Sequence, residues 1–80
     1  MNIRILFFGI IRDIIGKNSL EFKMDDNTTI HNLKDQLLRE YQKLDRFNNF
    51  SVAVNEEYVD DSYVIKSNDI IALIPPVSGG

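Results

Sequence analysis

A single stretch of the sequence has apolar residues at helical spacing over several turns. Its apolar positions step by three or four residues: Ile30, Leu33, Leu37, Tyr41 and Leu44. This period predicts one amphipathic helix with an apolar stripe along one side, and Thr28 or Thr29 is placed to cap its first turn. A chain of 80 residues supports one modest core. One long helix in such a chain can cover only one face of a sheet.

The segments around this helix have the composition of β-strands. They comprise Asn2–Phe8, Ser19–Met24, Phe50–Asn55, a short return at Tyr58–Val59, and Asp69–Ile74. A short helical turn closed by Gly16 is predicted between the first two strands, a tight turn at 55–57, and an irregular segment at 60–68 whose Val64-Ile65 fills the core. The order predicts an α+β fold with a mixed sheet of four to five strands and the long helix across one face.

The first and last strands are apolar on both of their faces, which leaves one face without a cover. Alternating members of Leu6, Phe8, Ile71 and Leu73, or their neighbours, are predicted to form it. Contiguous exposed apolar surface usually marks a partner site. The alternative is that Ile10, Ile11 and loop residues close over this face. The pattern does not determine which side of the last strand points outward.

Composition excludes several classes of function. The 12 acidic and 9 basic residues are scattered and give a net charge of −3, which provides no electrostatic footprint for nucleic acid. Because the sequence has no cysteine, thiol catalysis and thiolate metal sites are excluded. No apolar run approaches the roughly 20 residues that span a bilayer. We therefore expect a cytoplasmic protein that meets no membrane.

The titratable residues form no predicted catalytic or metal site. His31 lies on the polar side of the long helix without a Ser or Cys partner. The paired carboxylates all fall in predicted turns: Asp25-Asp26, Glu56-Glu57 and Asp60-Asp61. A calcium loop starting at Asp25 fails because Ile30 occupies the position that requires Gly. We expect no bound metal, and for Arg12 a structural and a functional role are equally open.

The sequence finishes with Ile74-Pro75-Pro76-Val77-Ser78-Gly79-Gly80. The two prolines lack the N–H groups needed to extend a ladder and favour extended geometry, so four further residues can reach about 13 Å from the body. Glycine has no Cβ and can pass through a slot that excludes other side chains. We therefore expect a folded domain over residues 1–76 and a flexible tail over 77–80. Its terminal carboxylate becomes an acyl donor once it is converted to a mixed anhydride.

Three motifs together resemble the small, sulfur-carrying subunits of molybdopterin synthase, which are ubiquitin-like β-grasp proteins. The resemblance spans the whole chain. It rests on Phe7-Phe8 followed by Arg12-Asp13 and Gly16, on Ala53-Val54-Asn55, and on Asp69 followed by 72–80. Asn68 departs from the Gly that the family commonly carries before this Asp. Because Asn tolerates left-handed geometry, the turn is expected to persist.

The resemblance implies a function for the tail. Gly80 would be adenylated with ATP by an activating enzyme similar to ubiquitin-activating enzymes and then converted to a thiocarboxylate. Val77, Ser78 and Gly79 would lie in the partner's channel, and Pro75 and Pro76 would join the apolar interface. The large synthase subunit would hold the active site, where sulfur is transferred to cyclic pyranopterin monophosphate. The family assembles as a 2:2 heterotetramer, and the small subunit binds no cofactor itself.

Two other functions share the terminal Gly-Gly. A sulfur carrier for thiazole synthesis has the same fold, although such carriers are typically shorter and do not usually show the Pro-Pro-Val-Ser approach. A ubiquitin-like modifier would form isopeptide bonds to lysines. Adenylation is common to all three, so only the tail motif separates them by sequence.

Overall fold

The computed structural model describes residues 1–47 and 49–76. Within them, five strands form one mixed sheet: β1 (Asn2–Phe7), β2 (Ser19–Lys23), β3 (Ser51–Val54), β4 (Glu57–Val59) and β5 (Ile70–Ile74). The helices are α1 (Gly9–Ile15), α2 (Ile30–Glu40) and a 3-10 helix (Gln42–Phe47). The strand order is β2-β1-β5-β3-β4, with β1 and β5 parallel and the other pairs antiparallel. This is the predicted α+β architecture, a ubiquitin-like β-grasp.

Helix α2 begins at a capping box. The Thr29 hydroxyl accepts a hydrogen bond from the Asn32 backbone N–H at 3.2 Å, and the Asn32 side chain accepts one from the Thr29 N–H at 3.3 Å. Thr28 instead donates to the Asp25 carbonyl, so Thr29 is the cap. The predicted helix is too long at its end, because α2 stops at Glu40 and Leu44 reaches the core from the 3-10 helix.

The core lies between α2 and one face of the sheet, here called the closed face. Ile3, Ile5 and Phe7 of β1 point into it, and so do the helix residues Ile30, Leu33 and Leu37. Ile65 fills the core from the loop, as predicted. Val64 is 45% exposed and does not fill it. Its backbone forms a bridge with Thr29, and neighbouring residues of an extended segment point to opposite sides.

The predicted outward position of Ile71 and Leu73 is wrong. Both side chains are fully buried on the closed face. The reason is the parallel register, in which Ile5 is paired with Ile71 and Phe7 with Leu73. Side chains at paired positions of neighbouring strands share a face. Ile71 and Leu73 are thus committed to the core and cannot contact a partner.

Left-handed residues fix two turns around β5 and β3. Asn68 has φ 69°, as its expected tolerance for this geometry predicts. Asn55 and Glu56 have φ 50° and 74° and form a two-residue hairpin loop between β3 and β4. Positive φ at both central residues is typical of a type I′ turn, whose twist matches that of the strands. The tight turn predicted at 55–57 is confirmed.

Candidate functional site

The face of the sheet opposite α2, here called the open face, carries apolar side chains. One row crosses four strands, because Leu6 of β1 is paired with Ala72 of β5, Ala72 with Ala53 of β3, and Ala53 with Tyr58 of β4. Alternation along β5 places Ile70 and Ile74 on the same face. Phe8 and Ile70 are each 45% exposed and Tyr58 is 72% exposed. These residues form a contiguous apolar surface without a covering element among the described residues.

A depression of about 660 Å³ lies in the middle of the open face. Its lining includes Ala53 and Ala72, together with the larger side chains around them: Leu6, Phe8, Tyr58, Ile70 and Ile74. Asn55 and Glu56 line one end. The open face is therefore concave, because small side chains at its centre are surrounded by large ones.

The polar border of the open face lies at the end where β5 begins. Arg4 and Glu21 are paired across β1 and β2 and form a salt bridge of 3.2 Å. Both side chains are more than half exposed, so the pair contributes little to stability. At the opposite end the face finishes with two apolar residues, Phe8 and Ile74. The apolar surface thus continues to the end of β5.

The chain leaves the sheet at that apolar end. Pro75 follows Ile74 and packs on Gly9, where an added Cβ would lie 2.9 Å from the Pro75 Cγ. Gly9 also has φ +55°, a conformation that favours glycine. Pro75 is half-buried and Pro76 is exposed. The predicted tail residues Val77, Ser78, Gly79 and Gly80 lie outside the described residues.

A buried carboxylate fixes the start of β5. Asp69 is 6% exposed and accepts hydrogen bonds from the Asn55 side-chain amide at 3.0 Å, the Tyr63 hydroxyl at 3.0 Å and the Lys66 backbone N–H at 2.8 Å. The Asn55 amide oxygen in turn accepts from the Ile70 N–H. Burial, reinforced by the hydrogen bond to Asp69, raises the pKa of Tyr63. This network joins the β3–β4 turn to the strand that leads to the tail.

The described residues contain no cluster of three or more His, Cys, Asp and Glu side chains that could hold a metal ion. His31 is exposed on α2, with its Nε2 3.4 Å from the Asp35 carboxylate. Arg12 is exposed on α1. None of the described helices is long and apolar enough to cross a membrane. The open face and the exit of the chain are adjacent in the structure and form the candidate site.

The structure places Leu6 and Phe8 on the open face and Pro75 and Pro76 at its apolar end. It adds five residues that the sequence prediction did not name for this face: Ala53, Tyr58, Ile70, Ala72 and Ile74. The signal that identifies them is the strand register, which the residue pattern alone does not determine. The role of this surface as a partner interface stays a prediction.

Comparison with known proteins gives consistent relationships. The ThiS family model matches residues 5–80. A molybdopterin synthase sulfur carrier subunit from Dictyostelium discoideum is 41% identical over 81 residues, covering 96% of this chain and 94% of that protein. One from Arabidopsis thaliana is 35% identical over 81 residues, covering 100% of this chain and 84% of that protein.

One of the solved structures similar to this chain is a complex of two proteins. A chain in the complex of subunits 1 and 2 of molybdopterin-converting factor from Helicobacter pylori superposes with a TM-score of 0.73 at 27% identity, with both chains fully covered. The family match, the full-length relatives and the β-grasp architecture agree. The chain therefore belongs to the ThiS family and groups within it with the molybdopterin synthase sulfur carrier subunits.

Proposed function

We propose that this protein carries sulfur for molybdopterin synthase on the carboxylate of Gly80. The observation that carries the proposal is the position of the chain exit, at the apolar end of an uncovered sheet face. A partner that covers the open face is thereby placed to receive the segment after Pro76. Four extended residues reach about 13 Å, which is enough to enter a neighbouring subunit.

The chemistry resides at the backbone terminus. A carboxylate is a poor electrophile, so it has to be activated before sulfur can be attached. The Gly80 carboxylate attacks the α-phosphorus of ATP in the activating enzyme, and pyrophosphate leaves. The outer sulfur of a persulfide then attacks the carbonyl carbon and displaces AMP, and a thiol cleaves the resulting acyl disulfide, which leaves a thiocarboxylate and a disulfide. Glycine at 79 and 80 keeps this terminus narrow enough for a channel.

The transfer step belongs to the partner. The thiocarboxylate enters the large synthase subunit, which supplies the active site for sulfur transfer to cyclic pyranopterin monophosphate. Two sulfurs complete a dithiolene, so two loaded carriers act for each product. The proposed assembly is a heterotetramer of two small and two large subunits in the cytoplasm. The small subunit is then a non-catalytic component of the enzyme and binds no cofactor of its own.

The open face has a separate task in this proposal. Its apolar residues dock the large subunit and hold the tail at the channel entrance, while Ile71 and Leu73 anchor β5 in the core on the closed face. Burying apolar surface is worth about 25 cal/mol per Å² before the costs of association. Binding and chemistry thus lie on different parts of the chain, and each can be removed without the other.

The test is an intact-mass measurement after incubation with the activating enzyme, ATP and a sulfur donor. The unmodified chain should gain the mass difference between one sulfur and one oxygen atom, located in the C-terminal peptide. Deleting Gly80, or adding one residue after it, should abolish the gain while leaving the melting temperature unchanged. His31→Ala, on the exposed side of α2, is the control and should load normally.

Loading of the Gly80 deletion at the normal rate would contradict the proposal. Isopeptide conjugates on many proteins, in place of the thiocarboxylate, would favour a protein modifier. Co-purification of the loaded chain with a large synthase subunit separates molybdopterin synthesis from thiazole synthesis.

A further inference from the structure

The sequence contains two alanines, and the fold pairs them at the centre of the open face. Ala53 of β3 lies opposite Ala72 of β5. Larger apolar side chains surround them: Leu6 and Tyr58 across the sheet, and Ile70 and Ile74 along it. We call the two alanines and these four residues the alanine pit.

We propose that the alanine pit receives one bulky apolar side chain that projects from the large synthase subunit. The inference rests on the proposed function and adds how the partner is recognised. Ala53 and Ala72 are specificity-determining residues in this view, because they leave the space that the projecting side chain fills.

The dimensions of the pit match a side chain better than a flat surface. Three strand spacings of about 4.8 Å separate β1 from β4, which places Leu6 about 14 Å from Tyr58 at the backbone. Ile70 and Ile74 are four residues apart, about 13 Å along the strand. The flanking side chains narrow this opening from all four directions. A flat partner would rest on them and leave a void above the alanines, forfeiting dispersion contacts.

The charges around the pit determine the chemistry of the occupant. The six pit residues are all uncharged, Glu56 lines only one end of the depression, and Arg4 and Glu21 at the polar border are paired with each other. Asn55, Glu56 and the Tyr58 hydroxyl lie toward the β3–β4 end, so a charged or strongly polar side chain over the two alanines would lose its hydration against mainly aliphatic neighbours. An aliphatic or aromatic side chain has no such cost. Tyr58, whose side chain is 72% exposed, can pack against such a side chain, because tyrosine is enriched among the residues that dominate binding at interface centres.

The chain exit favours the large subunit as the source of this side chain. Ile74 belongs to the pit and Pro75 follows it directly. A protein that takes up the segment after Pro76 has to approach within the roughly 13 Å reach of four residues. That approach brings its surface over the Ile74 side of the pit. The pit is therefore continuous with the surface that the tail's receptor must cover.

The test compares Ala72→Leu and Ala53→Leu with the unmodified chain in calorimetric binding to the large subunit of the same organism. Each leucine adds apolar area to the open face, so a flat apolar contact predicts equal or tighter binding. A filled pit predicts the opposite, a dissociation constant at least about 30-fold higher, because overpacking an occupied apolar site costs on the order of 2 kcal/mol. His31→Leu adds the same side chain on exposed α2 and should bind normally. Circular dichroism verifies that each variant is folded.

A second measurement needs no variant. Because the chain has two alanines, labelling their methyl groups with carbon-13 gives a two-signal spectrum. Both signals should shift on binding and show contacts to protons of one large-subunit side chain.

Three results would overturn the inference. The first is binding of both leucine variants at least as tight as normal. The second is alanine methyls that contact a second copy of this chain, or that contact no protons of the large subunit. Either of these leaves the proposed function intact if the unmodified chain still binds the large subunit and loads sulfur. The third is failure of the unmodified chain to bind, which would overturn both proposals.

Discussion

The two faces of the sheet are built from alternate residues of the same strands and differ in what covers them. Ile70 and Ile71 are neighbours of the same type, yet Ile70 is 45% exposed and Ile71 is fully buried. Phe8 and Phe7 show the same contrast at the end of β1, at 45% and 2%. Residue type therefore does not distinguish the two roles. Helix α2 covers one face, and the other has no covering element among the described residues and is the face that we propose a partner covers.

This difference teaches that a very small domain can keep the surface that stabilises its fold separate from a surface that is free for recognition. The closed face supplies the buried apolar area that a chain of 80 residues needs. The open face keeps apolar area exposed, which contributes little to folding and becomes useful only when another protein covers it. Substitutions at neighbouring positions should thus affect different measurements.

The largest effect is expected for Phe7→Ala. Removing this buried ring should lower the free energy of unfolding by about 3–5 kcal/mol, because it leaves a cavity in the core. The matched variant Phe8→Ala should cost less than about 1 kcal/mol and weaken binding of the large subunit instead. Urea unfolding and calorimetric binding measure the two effects. Equal loss of stability in both variants would break the distinction between the faces.

The next effect concerns Asp69, the one charged residue that is buried within residues 1–46 and 49–76. Asp69→Ala leaves the Asn55 amide, the Tyr63 hydroxyl and the Lys66 N–H without their acceptor. We expect a loss of about 2–3 kcal/mol in unfolding free energy, since buried donors without partners are costly. Asp13→Ala, an exposed position in α1, is the control and should change it by less than about 0.5 kcal/mol. A silent Asp69→Ala would show that the network does not hold β5.

A smaller effect on binding tests whether the exposed area of an apolar side chain or its location on the open face matters. Ile70 on the open face and Val64 in the loop before β5 are each 45% exposed. Ile70→Ala should weaken binding of the large subunit about tenfold, which corresponds to about 1.4 kcal/mol. Val64→Ala should leave the dissociation constant unchanged. If both variants weaken binding equally, exposed apolar area in general, and not the open face, would be responsible.

The smallest effect depends on pH. Tyr63→Phe removes one hydrogen bond to Asp69 and should cost about 0.5–1.5 kcal/mol at neutral pH. The raised pKa of Tyr63 means that its neutral form is favoured in the folded state. Its contribution is therefore fully present below the ordinary tyrosine pKa of about 10 and is lost as pH rises through the raised value. The stability difference between the two proteins should shrink in that alkaline range.

The control for this experiment is Tyr58→Phe, which changes an exposed ring on the open face. Its unfolding free energy should follow that of the unmodified chain at every pH. A difference between Tyr63→Phe and the unmodified chain that stays constant from neutral to alkaline pH would contradict the assignment.

Much of the fold follows from local patterns. The period of α2 and the Thr29 cap depend on residues close in sequence, and so do Gly16 and the turn at Asn55-Glu56. The end of α2 was harder to predict, because Leu44 keeps helical spacing even though the backbone tightens to a 3-10 helix after Tyr41. Local periodicity indicates which residues face the core, but it does not distinguish an α-helix from a 3-10 helix.

The site was only partly predictable for a different reason. Every residue from Ile70 to Ile74 is apolar, so alternation along β5 gives no sign of which side faces α2. The parallel pairing with β1, which sets Leu6 beside Ala72, joins residues at opposite ends of the chain. The pit appears only when this long-range register is known. The tail prediction rests on residues 77–80, which lie outside the described part of the structure.

One experiment tests the division between the faces most directly. Isoleucine methyl groups labelled with carbon-13 report on both faces in a single spectrum during titration with the unlabelled large subunit. We predict large shifts or broadening for Ile70 and Ile74 and unchanged signals for Ile3 and Ile71. Perturbation of the buried pair with no change at Ile70 and Ile74 would contradict the account.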